Sequence, residues 1–139
     1  MCLVTEQKIA EILTEDLTVY KRFWTDGKDL FPWSHEYREY VKYEVGKIHK
    51  QSLLVNNKEE TFHDERSSLA YEDYWKSMKK LTHVHEGFHA VLTCKRLSKN
   101  RYDDYVDYVC TIPKGAKVFK DKTGLIVSDT IILKEKICA

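Results

Sequence analysis

Alternation of apolar and polar positions dominates this chain, and it predicts strands more often than helices. Leu17 to Trp24, "LTVYKRFW", is a β-branched and aromatic run that reads as a first strand, ended by the turn residues "TDGKD" around Gly27. "YVKYEVG" alternates Val41, Tyr43 and Val45 with Lys42 and Glu44, which predicts a second strand with one wet face. "SLLVNNKEETF" predicts a short strand and an Asn-Asn turn. The most regular run is "YVDYVCTI", where Val106, Tyr108, Cys110 and Ile112 share one face while the other face also carries large side chains; this strand is expected at the centre of a sheet. "PKGAKVFKDKTGLIVSDTIILKEKI" then predicts three short apolar strands joined by two hairpin turns, Pro113-Lys114-Gly115 and Asp121-Lys122-Thr123-Gly124.

Helical periodicity is confined to a few stretches. "SSLAYEDYWKSMKKL" sets Tyr71, Tyr74, Trp75, Met78 and Leu81 on one face of an amphipathic helix, with Ser67 or Ser68 to cap it. Thr93 is placed to cap a short helix in "CKRLSKN", and Ile9, Ile12 and Leu13 give the first 16 residues the pattern of a short helix or an irregular arm. No Pro/Gly-rich linker or repeat divides the 139 residues. The expectation is therefore one α+β domain over 1–139, mostly antiparallel, with about six strands and one or two helices.

Composition narrows the function classes. Hydrophobic residues make up 42% and charged residues 32%, the balance of a globular chain, and the formal charge of +1 supplies no field to draw in a polyanion; nucleic acid is an unpromising partner. Cys2, Cys94, Cys110 and Cys138 are dispersed with no CxxC pair, and "MCLVTEQKIAEIL" meets Glu6 and Lys8 before an apolar run develops, which predicts no secretory leader, free thiols and a reducing cytoplasm. No apolar run approaches the roughly 18 residues of a membrane span.

The densest candidate chemistry is "THVHEGFHAVLT". His83 and His85, two apart on a strand, would point the same way about 6 to 7 Å apart and form half of a zinc site. His85 and His89 would lie about 13 Å apart on a straight strand, so only a turn at Gly87 could join them. No carboxylate stands at the HExxH spacing, and we expect neither a native metal nor a cofactor. The alternation also places Phe88, Ala90 and Leu92 on one face and His89, Val91 and Thr93 on the other. A bend at Gly87 would then send Phe88 into the core and turn His89 toward a groove shared with Lys21 or Arg22. Among the thiols, Cys110 lies on an apolar face and reads as core, while Cys94, followed by Lys95 and Arg96, has no second catalytic element at a matching spacing.

In order, "VYKRF", "YVKYEVGK", "EGFHAVLT", "CTIPKGAKVF" and "LIVSDTIIL" resemble a family of small bacteriophage and prophage proteins of unassigned function, with Gly-Phe-His-Ala the most specific segment and His89 the histidine it singles out. The chain is also similar to the ADP-ribosyltransferase fold, in which a basic first strand, a Ser-Thr-Ser-like central strand and a Pro-Lys-Gly turn precede a strand bearing a catalytic glutamate. The counterparts here are Lys21 or Arg22, His89 to Thr93, and Ser128-Asp129-Thr130. The glutamate itself is missing, and Asp129 is shorter. What this resemblance implies is a groove for a nucleotide-derived ligand, and the candidate ligand-binding set is Tyr20, Lys21, Arg22, Tyr43, His89, Thr93, Lys114, Ser128 and Asp129. The leading expectation is a phage-type accessory protein of the host cytoplasm that binds a nucleotide-derived defence signal or docks on a host defence protein. The alternatives are an ADP-ribosyltransferase-like or nucleotide-processing enzyme using His89, and a structural or virion-associated interaction protein, with oligomers allowed under any of the three.

Overall fold

The structure, a computed structural model, describes residues 3–32, 42–56, 81–97 and 104–137. Twelve strands run through them: β1 (Leu3–Thr5), β2 (Glu11–Ile12), β3 (Leu17–Thr25), β4 (Leu30–Pro32), β5 (Ile48–Lys50), β6 (Leu54–Asn56), β7 (Thr82–Glu86), β8 (Phe88–Val91), β9 (Tyr105–Ile112), β10 (Lys117–Lys120), β11 (Leu125–Ser128) and β12 (Thr130–Lys136). The α+β expectation is overturned. The described residues form two antiparallel sheets, of nine and three strands, and their longest helical element is the three-residue 3-10 turn Cys94–Arg96. Thr93 precedes that turn without a side-chain capping bond. The predicted helix beginning at Ser67 or Ser68 lies outside the described residues, except for its last position, Leu81. At the N-terminus the helical spacing misleads because β1 and β2 are too short to show alternation.

The large sheet follows the order β2-β10-β11-β8-β3-β9-β12-β5, with β4 added to β3. A single residue, Asp129, joins β11 to β12, yet these strands stand four places apart in that order. Four steps across a flat sheet are about 19 Å, and the two Cα–Cα steps from Ser128 to Thr130 reach no more than about 7 Å, so the sheet must roll up on itself. The rolled inner face holds the main core, to which Val19, Phe23, Phe88, Val106, Cys110, Ile112, Val118, Ile126, Ile131 and Leu133 contribute. Pro113–Ala116 closes the same roll. It carries the chain from β9 to β10, which do not pair, and is a corner rather than the predicted hairpin; Asp121–Gly124 does turn a hairpin, between β10 and β11.

The small sheet, β1-β7-β6, covers the outer face of β10 and β11, and Leu3, Val84, Phe119 and Val127 form a second core between the layers. This explains the unbroken apolar run Leu125–Val127: Ile126 faces one core and Val127 the other. The central position of β9 is equally plain, with β3 on one side along its whole length and β12 on the other. "YVKYEVG" is not a regular strand. Tyr43 and Val45 make isolated bridges to Leu30 and Leu133, and their exposures differ sharply, 7% against 54%. No described helix is long and apolar enough to cross a membrane.

Candidate functional site

The edge of β3 opposite β9 has divided ownership. β8 pairs with it only through Tyr20 and Val91, and β4 takes over from Phe23 to Thr25. Lys21 sits in the seam between these partners, and alternation with Val19 and Phe23 turns its side chain to the inner face. Its ammonium donates to the carbonyl oxygen of His89 at 2.6 Å, a contact that satisfies β8 where the ladder has opened, and lies 5.6 Å from the centre of the Phe23 ring. Burial lowers the Lys21 pKa to about 8, against a smaller raising effect of Cys110. Burial pushes the Cys110 thiol the other way, up to about 12, with the Lys21 charge opposing. A thiol so placed is neutral and inert.

Gly87 creates the other half of the seam. It carries the chain from β7 in the small sheet to β8 in the large one at φ +140°, and a Cβ there would lie 2.4 Å from Val127 Cγ1 and 2.6 Å from Leu53 Cδ2. No side chain fits. Past this corner Phe88 enters the main core, 4% exposed, and His89 turns to the opposite face. His89 Nδ1 lies 3.1 Å from the Gly87 carbonyl, which can only accept; Nδ1 therefore carries the proton, and Nε2 presents a bare lone pair. Nε2 is buried with no partner. Burial first, then the Lys21 charge, lowers the His89 pKa to about 4, with the Gly87 bond opposing, so the ring is neutral at physiological pH.

Of the nine residues anticipated from sequence, this seam unites Lys21 and His89 and reaches Tyr43 from the inner face. Tyr43 is core: its ring meets Phe23 at 4.9 Å and Phe88 at 6.0 Å, and burial, with a smaller effect of Cys110, raises its pKa. Arg22, pointing opposite to Lys21, grips both carboxylate oxygens of Asp107 at 2.8 and 3.1 Å, both side chains being largely enclosed. Tyr20, on the same face as Arg22, is half-buried. The other four stand elsewhere. Thr93 is exposed before the 3-10 turn, and the exposed Lys114 is fixed through its backbone N–H, which donates to Asp16. Ser128 is fully buried and bonds across the β11–β12 corner to Thr130. Asp129 accepts from the Lys117 N–H and the Thr130 hydroxyl at 3.0 Å each, so its carboxylate is engaged in holding the corner.

His83 and His85 do share one side of β7, their rings stacked at 6.2 Å between centroids, but His89 belongs to the other sheet. No group of three histidine, cysteine or acidic side chains suited to a metal occurs among the described residues.

Two further features had little sequence signal. An open groove of about 430 Å³ runs between the N-terminal strand and the β10–β11 hairpin, lined among others by Thr5, Gln7, Lys120, Lys122 and Thr123; Lys122 is paired with Glu6 across it at 3.2 Å. More telling are the exposed large aliphatic side chains among the described residues: Ile9 (81%), Ile12 (60%), Val45 (54%), Ile48 (55%) and Leu54 (52%). All five lie in or beside strands that end a sheet. Among the described residues β2 and β5 are the terminal strands of the large sheet and β6 is terminal in the small one, and residues 45–56 form one stretch that borders first β12 and then β7. The only hint in the sequence is isoleucine isolated among charges, as in "KIHK". Comparison with family models, curated proteins and solved structures gives no match for this chain.

Proposed function

We propose that this protein is a phage-type accessory protein of the host cytoplasm that acts by docking on another protein, along the stretch 45–56, which borders the end of the large sheet at β5 and the end of the small sheet at β6. One observation carries the reading: Val45, Ile48 and Leu54 are each more than half exposed, Ile48 and Leu54 on strands that have a neighbour on one side only among the described residues, and Val45 at an isolated bridge to Leu133 just before β5. Such an edge offers backbone N–H and C=O groups to an added strand, and the aliphatic side chains supply apolar area to bury with it. The polar candidates support the same reading by being occupied: Arg22, Ser128 and Asp129 each bond within the sheet. A host defence protein is the partner class that the phage-like resemblance suggests.

The test is a phage challenge in cells whose defence the wild-type chain relieves. Leu54→Asp should retain its melting temperature to within a few degrees and lose the relief. Full relief by that variant, or none by the wild type across a panel of defence systems, would refute the reading. A second reading, capture of a nucleotide-derived ligand, is favoured by the open groove beside Lys120 and Lys122. Its distinguishing sign is a rise in melting temperature with ADP-ribose that Lys122→Ala abolishes.

A further inference from the structure

β7 is the middle strand of the small sheet, paired with β1 on one side and with β6 on the other. Its backbone is therefore fixed from both sides. Thr82 and Val84 are fully buried beneath it, so the alternation turns His83 and His85 together to the outer face, the first partly buried and the second exposed. Their rings lie nearly parallel, with 16° between the planes and 6.2 Å between the centroids. We propose that this pair binds a divalent transition-metal ion of the zinc kind, through one imidazole nitrogen of each residue, with water filling the remaining coordination positions.

The donor type selects the ion. Imidazole nitrogen suits zinc, copper and nickel, whereas magnesium and calcium take oxygen, so the pair discriminates against the abundant hard cations. Two nitrogens that share an ion through bonds of about 2.1 Å stand no more than about 4.2 Å apart. Each nitrogen lies on the rim of its ring, and rings with centroids 6.2 Å apart reach that separation by rotating about their side-chain bonds. The strand itself need not move. Because two ladders already hold the backbone, binding orders only two side chains and no loop, which keeps its entropic cost small. A three-histidine site is precluded, since His89 stands in the large sheet, but a two-histidine site requires nothing from it. With only two protein donors the ion keeps positions open to solvent, as catalytic zinc sites keep one, so it is held less tightly than in a closed structural site and exchanges.

Calorimetric titration of Zn2+ into the full chain, prepared without an affinity tag and stripped of metal by a chelator, tests this, with Mg2+ as the control ion. The wild type should take up one Zn2+ per chain in the micromolar range and give no heat with Mg2+. Its melting temperature should rise with Zn2+ as well, since an ion that binds only the folded chain stabilises it. His83→Ala and His85→Ala should each weaken Zn2+ binding by at least the roughly 10- to 100-fold that loss of a contact merely supporting a metal ligand costs. Melts of the metal-free variants check that each is folded. His85→Gln, a polar replacement at an exposed position, serves in place of an alanine variant that is not, and should show the same loss. Absence of Zn2+ uptake by the wild type up to millimolar concentration overturns the proposal and leaves the rings as a solvent-facing stack. Uptake of undiminished affinity in a folded chain with both histidines replaced overturns it too, because the ion then sits elsewhere.

Discussion

The middle of the large sheet and its two ends use side chains in opposite ways. At the seam between β3 and β8, charged and polar groups are buried and tied into the fold: Lys21 holds the His89 carbonyl, Arg22 clamps Asp107, and the ring of Tyr43 packs between Phe23 and Phe88. At the ends, aliphatic groups stand in water: Ile12 at one, Ile48 at the other. Residue type alone suggests the reverse assignment, lysine and histidine for binding and isoleucine for the core. The difference lies in whether a side chain's interactions are completed inside the molecule. Those of Lys21 and Arg22 largely are, whereas the apolar surface of Ile48 awaits a partner.

The sharpest contrast between middle and ends is energetic. Phe23 is fully buried and meets Tyr43 and Tyr108 edge-on at 4.9 and 5.8 Å. Phe23→Ala should destabilise the protein by about 3 to 5 kcal/mol, seen as a fall in the denaturant midpoint at constant slope. A loss below about 1 kcal/mol would mean that the aromatic cluster is not the keystone of the middle.

Next in size is the acid response of His89. Its folded pKa, about 4, lies below the ordinary value of 6.5, so the unfolded chain binds this proton more readily. The stabilisation is complete above pH 6.5 and is lost as pH falls toward 4, by up to about 3 kcal/mol at about 1.4 kcal/mol per unit. His89→Gln should flatten the pH dependence of stability in that window. An unchanged slope in the variant would show that the ring is solvated and that the bare Nε2 is not part of a buried middle.

Lys21 responds on the alkaline side. Its folded pKa of about 8 is also depressed, from 10.5, so its contribution is present above 10.5 and lost as pH falls through 8. Stability should rise from pH 8 to 9; above 9 the Cys110 thiol, raised to about 12, opposes because the unfolded thiol ionises first. Lys21→Met removes a buried charge that costs about 3 kcal/mol at neutral pH and leaves the His89 carbonyl unpaired at about 1 to 3 kcal/mol, for a net gain of about 1 kcal/mol. It should also erase the rise between pH 8 and 9.

How far the sequence foretold this arrangement depends on the range of the interactions involved. β3 and β9 were legible because each is eight residues or more with clear alternation, and the corner at Gly87 was legible because glycine followed by Phe-His-Ala separates a core residue from its neighbour. β1, β2 and β5 were not, since strands of two or three residues carry too few alternations to show a period, whereas β6 falls within the short strand that "SLLVNNKEETF" predicts. The roll of the sheet was also invisible: Pro-Lys-Gly looks the same at a hairpin and at a corner between unpaired strands. As for the candidate site, Lys21 and His89 were named and do meet, but through an amine and a backbone carbonyl, a contact that depends on β8 and β4 sharing one edge of β3. Ser128 and Asp129 lie at the corner that closes the roll, a position that only the three-dimensional path reveals.

The smallest expected effect on stability belongs to the ends. Ile48 is 55% exposed and pairs through its backbone with Ile132 of β12, so its side chain contributes little to either core. Ile48→Glu should change unfolding free energy by no more than about 0.5 kcal/mol, the range of surface substitutions remote from caps, cores and buried charges. Lys47 and Lys50 flank the new carboxylate and offset any local cost of charge. The same substitution should sharply alter what the molecule associates with, because it places a charge in the middle of the apolar contact that an added strand would bury. A near-neutral melt together with a changed assembly state would separate an end residue, whose role lies between molecules, from a middle residue such as Phe23, whose role lies within one. If Ile48→Glu instead unfolded the protein by several kcal/mol, Ile48 would belong to the folded interior, and the contrast between middle and ends would fail at that position.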